Sequence, residues 1–174
     1  MAEYEVIDNF LPQQEFEIIR STLMELDPIH DFEQIIRWTY SPIVANMNDD
    51  VLEYWKYFYM IHFVLMDSQF MSIFSKKIIP ILRKLEIKAI MRIKCNLYPN
   101  SEKVHEHEMH VDYPYSHKGA IFSVNTCNGY TKLEDGTKID SVANRMLLFD
   151  PSKPHGSTTT SDTTVRVNIN FNYF

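Results

Sequence analysis

Disulfide chemistry is the first thing this chain lacks. Of its 174 residues only Cys95 and Cys127 carry thiols, and neither stands in a Cys-x-x-Cys pair or a zinc-finger spacing. Free thiols in a reducing compartment are the expectation. Positive charge is also short, since 17 Lys and Arg against 23 Asp and Glu leave a net charge of −6. Nucleic-acid binding needs a basic face that neutralises phosphates, so the charge argues against a general electrostatic grip of that kind and leaves room only for a local patch. The longest apolar stretch, residues 57–66, is too short for a membrane span and is interrupted by His62. The opening MAEYEVIDNF has acidic residues where a secretory signal would carry a basic region and an apolar run. A soluble, cytoplasmic protein without a membrane partner is expected. No repeat, linker or low-complexity tract divides the chain, so residues 1–174 read as one domain, and a hydrophobic fraction of 45% is enough to build its core.

What is present falls into two rhythms. Residues 1–88 read as a mainly helical scaffold. After Leu11-Pro12, the residues Phe16, Ile19, Leu23 and Leu26 recur at helical spacing, and Pro12 suits a first turn, where a missing N–H costs nothing. Asn48, Asp49 and Asp50 suggest caps for a second helix with Val51, Trp55, Phe58, His62 and Leu65 on one stripe. A third helix is expected from Gln69 to about Leu85, kinked or split at Pro80. The stretch from Asp27 to Met47 has no clear period and reads as a lid or a surface connection.

From Ala89 the period becomes two. Met91, Ile93, Cys95 and Leu97 alternate with Arg92, Lys94, Asn96 and Tyr98, and Val165 to Tyr173 alternates apolar odd positions with Arg166, Asn168, Asn170 and Asn172. Between them lie strand-like stretches at 119–125 and 145–149 and a hairpin with Asp135-Gly136 as its turn signal. Short strands with frequent turns predict a mainly β, α+β fold: a double-sheet jelly roll over 89–174 packed on the N-terminal helices. The polar faces of the two long strands either meet water or line a barrel interior that holds a polar ligand. Arg92 and Lys94 read as solvated edge charges, or as a grip for an acidic substrate group.

The segment VHEHEMHVDYPY, residues 104–115, concentrates possible metal ligands. A zinc-peptidase helix would need His-Glu-x-x-His, but the fifth residue from His105 is Met109 and from His107 is Val111. On a strand, His110 and Asp112 share a face and can close on one ion. His105 and His107 would face the other way, so with Glu106 and Glu108 they read as solvated rim residues. His30, His62, His117 and His155 are candidates for a third ligand. His155 stands out because Pro154-His155-Gly156 comes after the apolar strand ending at Phe149, while His62 reads as a packed core residue. Two His and one carboxylate suit non-haem Fe(II) with open positions, and Arg166 on the final strand could hold a carboxylate through a bidentate pair.

His110-x-Asp112, then His155, then Arg166 resembles the signature of the Fe(II)/2-oxoglutarate-dependent oxygenases, in particular the prolyl-4-hydroxylase-like branch. The stretch from Asn144 to Gly156 resembles that branch's penultimate strand and distal histidine, and Val165 to Ile169 its arginine-bearing strand. Val6 to Pro12 resembles its lead-in to the first helix. The resemblance implies a double-stranded β-helix with Fe(II) held by His110, Asp112 and His155. It implies 2-oxoglutarate chelating the iron and pairing with Arg166, O2 as oxidant, ascorbate as a candidate reductant, and succinate and CO2 as products. It puts Tyr98 and Asn96 beside the co-substrate, with Asn168 and Asn125 as further pocket residues. The implied substrate is a peptide, with peptidyl proline or another amino-acid side chain favoured, or a small molecule. The nucleic-acid demethylating branch carries a second arginine where this chain has Asn172, and the glycine that comes after the strand tyrosine in prolyl hydroxylases is replaced by Pro99. Two other classes fit the same residues: a non-catalytic, cupin-like binder of metal or small ligands, and a structural jelly roll whose His-rich loop scavenges metal. The oligomeric state is left open.

Overall fold

The computed structural model describes residues 4–25, 36–44 and 57–174. Its strands are β1 (Tyr4–Ile7), β2 (Thr39–Ser41), β3 (Tyr59–Met66), β4 (Gln69–Phe70), β5 (Ile90–Pro99), β6 (Lys118–Ser123), β7 (Tyr130–Leu133), β8 (Lys138–Asp140), β9 (Arg145–Phe149), β10 (His155–Ser157) and β11 (Val165–Tyr173). Helices α1 (Gln13–Met24) and α2 (Ile79–Lys84) and a 3-10 turn over Ile73–Lys76 complete the described elements. The large sheet runs β1-β9-β6-β11-β5-β3-β2, with β4 beside β3, and the small one runs β10-β7-β8. The strand pairings in both sheets are antiparallel, giving the jelly-roll architecture expected for the C-terminal half. No helix among the described residues is long and apolar enough to cross a membrane.

The centre of the large sheet is the pairing of β11 with β5. Arg166 stands opposite Tyr98, Asn168 opposite Asn96, Asn170 opposite Lys94 and Asn172 opposite Arg92. Since partners across a ladder point to the same side, every one of these polar residues falls on one face. On the other face Ile93, Cys95, Val167, Ile169 and Phe171 are buried in a core shared with Phe10, Phe16 and Ile19. Phe10 and Phe16 both meet Phe122 edge-on at 6.2 and 6.1 Å. Helix α1 buries Phe16, Ile19 and Leu23 as their spacing predicts, with Pro12 at its N-cap.

The N-terminal half departs from the helical expectation. Tyr59–Met66 is a strand, not the second half of a helix, and pairs with β5 and β2. Its register shifts between Phe63 and Leu65, so the adjacent Val64 and Leu65 are both buried. That bulge breaks the period of two and leaves a spacing that imitates a helical stripe. The expected caps Asn48 to Asp50, with Val51 and Trp55, lie outside the described residues. The third helix is replaced by a β3–β4 hairpin, the 3-10 turn and a short helix. Asp67 and Ser68 both adopt positive φ, 51° and 64°, as a two-residue hairpin turn requires. Pro80 sits in the first turn of α2, where its missing N–H is harmless. Within the Asp27 to Met47 stretch, Thr39–Ser41 forms an edge strand, and residues 27–35 and 45–47 lie outside the described residues.

The N-terminal lead-in is clamped by one buried amide. Asn144 accepts from the Leu11 N–H at 2.9 Å and donates to the Leu11 carbonyl at 2.8 Å, while its own carbonyl accepts from the Phe10 N–H at 2.9 Å. Replacing Asn144 by Ala leaves both Leu11 groups unpaired in a buried setting. Asn144→Ala should cost roughly 2–4 kcal/mol, read as a lowered urea midpoint at unchanged m-value.

Candidate metal centre and carboxylate pocket

Residues 105–112 run antiparallel to 155–159 as an irregular ladder at the edge of the small sheet. The Thr159 N–H donates to His105 O at 3.0 Å and the His107 N–H to Ser157 O at 2.9 Å. His110 and His155 then exchange two backbone bonds of 2.9 Å, and the Asp112 N–H donates to Pro151 O at 2.9 Å. This pairing brings the His110 and His155 rings to 4.6 Å, although the residues are far apart in sequence. One ligand atom each from His110, Asp112 and His155 lie within 4.8 Å of one another, close enough for a single ion to hold them.

The ladder contains a correction to the expected rim. Glu106 pairs with Thr158 and His110 with His155, so four residues advance against three. The extra residue is a bulge, and it reverses the strand parity that would have sent His107 away from His110. His107 is therefore turned inward, only 5% exposed, with its ring 5.7 Å from that of Tyr98. A Cβ on Gly156 would meet His107 O at 3.2 Å and Met109 Sδ at 3.1 Å, so glycine gives the bulge room to lie against β10. His105 stacks on Tyr57 at 3.6 Å. Glu106 is exposed but ion-pairs with Lys132 and Lys138 at 2.7 and 2.9 Å and accepts from the Tyr130 hydroxyl, which together hold its carboxyl at about 2 and tie the segment to β7 and β8.

Each member of the triad is set by its surroundings. The His155 Nδ1–H donates to Lys153 O at 3.0 Å, which leaves Nε2 to bind a metal. His110 is held by its backbone exchange with His155. Asp112 receives Arg92 at 2.7 Å and Asn170 at 3.3 Å. Burial alone would raise its pKa, but the Arg92 charge and then that of His155 outweigh it and hold the carboxyl at about 2. Asn170 is itself fixed by Asn172 at 2.7 Å, and Asn172 by the buried His117 Nε2 at 2.7 Å. Alternation marks Asn170 and Asn172 as polar-face residues, but the chain from His117 through them to Asp112 depends on cross-strand neighbours no local pattern reveals. Arg92 and Lys94 are not solvated edge charges. Arg92 is committed to Asp112, and Lys94 is largely enclosed, with burial and then the Arg92 charge lowering it to about 8. His62 is held at both ring nitrogens by Arg37 O and Ser72 Oγ, as a packing residue would be, and His30 lies outside the described residues.

Arg166 occupies the far end of the same polar face. Only 1% exposed, it donates to Thr158 O at 3.0 Å and Thr131 Oγ1 at 3.1 Å, and its guanidinium carbon lies 5.4 Å from the Tyr98 ring. Among the described residues no carboxylate pairs with it, and its Nε has no hydrogen-bond partner. An uncompensated buried cation is costly, so the donor set fits an incoming carboxylate. Burial raises the Tyr98 phenol to about 12 against the opposing pull of Arg166, keeping it protonated as a donor. Asn96 and Asn168 pair across the strands at 2.9 Å between this pocket and the triad. Asn125 is not brought into the group: its amide donates to Val165 O and accepts from the Val167 N–H, both at 2.8 Å, tying a loop to β11.

Two effects of this arrangement are expected, the second in the metal-free protein. Asn170→Ala should weaken Fe(II) or Zn(II) binding about 10- to 100-fold in a chelator competition, because Asp112 loses a partner that orients it. Burial, then the charges of His105 and Arg166, lowers His107 from 6.5 to about 3, and burial and then His155 lower His110 to about 4. The unfolded chain therefore binds more protons than the folded one below 6.5, and stability rises with pH through that window. Urea midpoints should fall as pH drops from about 6.5 towards 4, with a shallower slope in His107→Phe.

No family model matches the chain, and no curated protein matches it in sequence. Similarity is found in solved structures. A prolyl hydroxylase from Trichoplax adhaerens, in complex with a hypoxia inducible factor oxygen degradation domain peptide fragment, matches with a TM-score of 0.61 at 16% identity, over 99% of this chain and 83% of its own. A viral collagen prolyl hydroxylase from Paramecium Bursaria Chlorella virus-1, solved as its 2OG complex, matches at 0.59 and 13%, over 98% and 94%. A 2OG-Fe(II) oxygenase family oxidoreductase from Burkholderia pseudomallei matches at 0.67 and 12%, over 98% and 84%. The chain thus has the fold of the Fe(II)/2-oxoglutarate oxygenases, of the prolyl-4-hydroxylase-like kind.

Proposed function

We propose that residues 1–174 form one Fe(II)/2-oxoglutarate-dependent dioxygenase domain that hydroxylates an amino-acid side chain, with peptidyl proline favoured. The observation that carries this reading is the pairing of two incomplete sites on one polar face. A His110–Asp112–His155 cluster suited to Fe(II) stands at one end, and Arg166, a buried cation without a counter-anion among the described residues, stands at the other. A metal-scavenging loop would explain the first but not the second. A ligand with a metal-chelating head and a distal carboxylate satisfies both.

Fe(II), 2-oxoglutarate and O2, bound together, would supply the oxidation: one oxygen atom goes to the substrate C–H bond and the other to succinate, with release of CO2. The chain's own residues bind and orient. His110, Asp112 and His155 would hold the metal on one side and leave its other positions open. Arg166 would neutralise the distal carboxylate, Tyr98 would donate to the co-substrate, and the Asn96–Asn168 pair would line the wall between. The acidic net charge disfavours a nucleic-acid substrate. We place the protein in the cytoplasm, which its two free, buried cysteines fit.

Adding 2-oxoglutarate to the Fe(II)-loaded protein without oxygen should produce a visible metal-to-ligand charge-transfer band. Absence of the band in folded, iron-loaded protein would refute the oxygenase reading. Arg166→Ala should raise the 2-oxoglutarate concentration needed for half-maximal band by about 100-fold. A cupin-like binder in which Arg166 has no task would show no such change.

A further inference from the structure

We infer that His107 is a second ligand for the distal carboxylate of the co-substrate, donating from Nε2 beside Arg166; this rests on the oxygenase reading above. The imidazole is buried, and its Nε2 has no hydrogen-bond partner among the described residues. Its position is bracketed by neighbours. The His107 ring lies 5.7 Å from Tyr98, and the Arg166 guanidinium lies 5.4 Å from the same phenol ring. Both groups thus lie against Tyr98, which stands opposite Arg166 in the β5–β11 ladder.

The other underused polar atoms here tell which chemistry is missing. Arg166 Nε is buried without a partner. The buried Ser157 hydroxyl faces the Tyr98 phenol but makes no hydrogen bond of good geometry, and Ser157 is the residue whose carbonyl accepts the His107 N–H. Around Tyr98 the Arg166 Nε–H, the Ser157 hydroxyl and His107 Nε2, in its Nε2–H tautomer, are thus donors without an acceptor, while the one partnerless acceptor, Asn96 Oδ1, lies two residues along β5 towards the triad. A carboxylate has four lone-pair sites and no proton to donate, so it meets this set, whereas an alcohol or amide would bring a donor of its own. Burial and the neighbouring positive charge lower the His107 pKa, and a neutral imidazole in its Nε2–H tautomer donates one hydrogen bond to the anion without adding a second counter-charge. The bulge before His110 serves this placement, because without its extra residue strand alternation would turn His107 out of the pocket.

The test compares two 2-oxo acids by anaerobic titration of the Fe(II)-loaded protein, monitored by the charge-transfer band. 2-Oxoglutarate carries the distal carboxylate, and pyruvate keeps the chelating head without it. His107→Phe preserves the ring against Tyr98 and removes Nε2. It should weaken 2-oxoglutarate about tenfold or more while leaving pyruvate and Fe(II) affinity unchanged. His107→Gln, which restores an N–H donor, should recover part of the loss. Equal weakening of both acids in His107→Phe, or unchanged 2-oxoglutarate affinity in both variants, would overturn the inference and leave the oxygenase reading standing. No band with either acid in the unmodified protein would overturn both.

Discussion

The register between β5 and β11 is the constraint on which the rest of the molecule depends. Nine residues of β11 pair with β5, and six of them also pair with β6 on the opposite edge, so the strand cannot shift without breaking both ladders. A slip of one position would carry Arg166 and three asparagines into the space of Phe10, Phe16 and Ile19, and put Val167, Ile169 and Phe171 into the polar trough. The apolar face therefore does more than stabilise the fold. By enforcing the register, it sets Arg166 against Tyr98 and Asn170 beside Asp112.

The polar face is assembled against the ordinary preference of a protein interior. Arg166, His107, Lys94 and the triad are enclosed, and desolvation opposes the charged form of each. Some of that opposition is met within the chain. Arg92 offsets Asp112, and the asparagine pair of β11 carries the hydrogen bonding from His117 to the same carboxylate. Among the described residues His107 Nε2, Ser157 Oγ and Arg166 Nε around Tyr98, and Asn96 Oδ1, Arg92 Nε and His110 Nδ1 towards the triad, have no hydrogen-bond partner. Under the proposed function, ligand binding completes this part of the interior and should stabilise the fold through linkage.

Two bulges explain most of the distance between local pattern and structure. The one at Val64 lets consecutive residues face the core, so β3 presents an apolar spacing readable as helix. The one between Glu106 and His110 lets residues three apart face the same pocket, so the alternation rule that puts His107 at the rim is sound only for a regular strand. The β3–β4 hairpin has a visible signal in Asp67-Ser68, two residues tolerant of turns, but its weight is small beside a run of apolar residues at helical spacing. Asn125 is ambiguous for a different reason. An asparagine beside a strand end serves equally well as a pocket donor or as a clamp on backbone, and only its neighbours distinguish the two.

Periods and residue chemistry along the chain suffice for a definite part of this protein. Regular alternation over Ile90–Pro99 and Val165–Tyr173 specifies two-faced strands, His110-x-Asp112 specifies two side chains on one side, and Phe16, Ile19 and Leu23 specify the buried stripe of α1. Those properties depend on residues close together in the chain, where backbone geometry repeats. Only the assembled fold sets the backbone pairing of His110 with His155, the inward turn of His107 and the relay from His117 to Asp112. Each depends on which strand lies beside which and on a single inserted residue in the ladder. Contacts between distant segments are selected by the packing of the whole core, and no period in the chain records them.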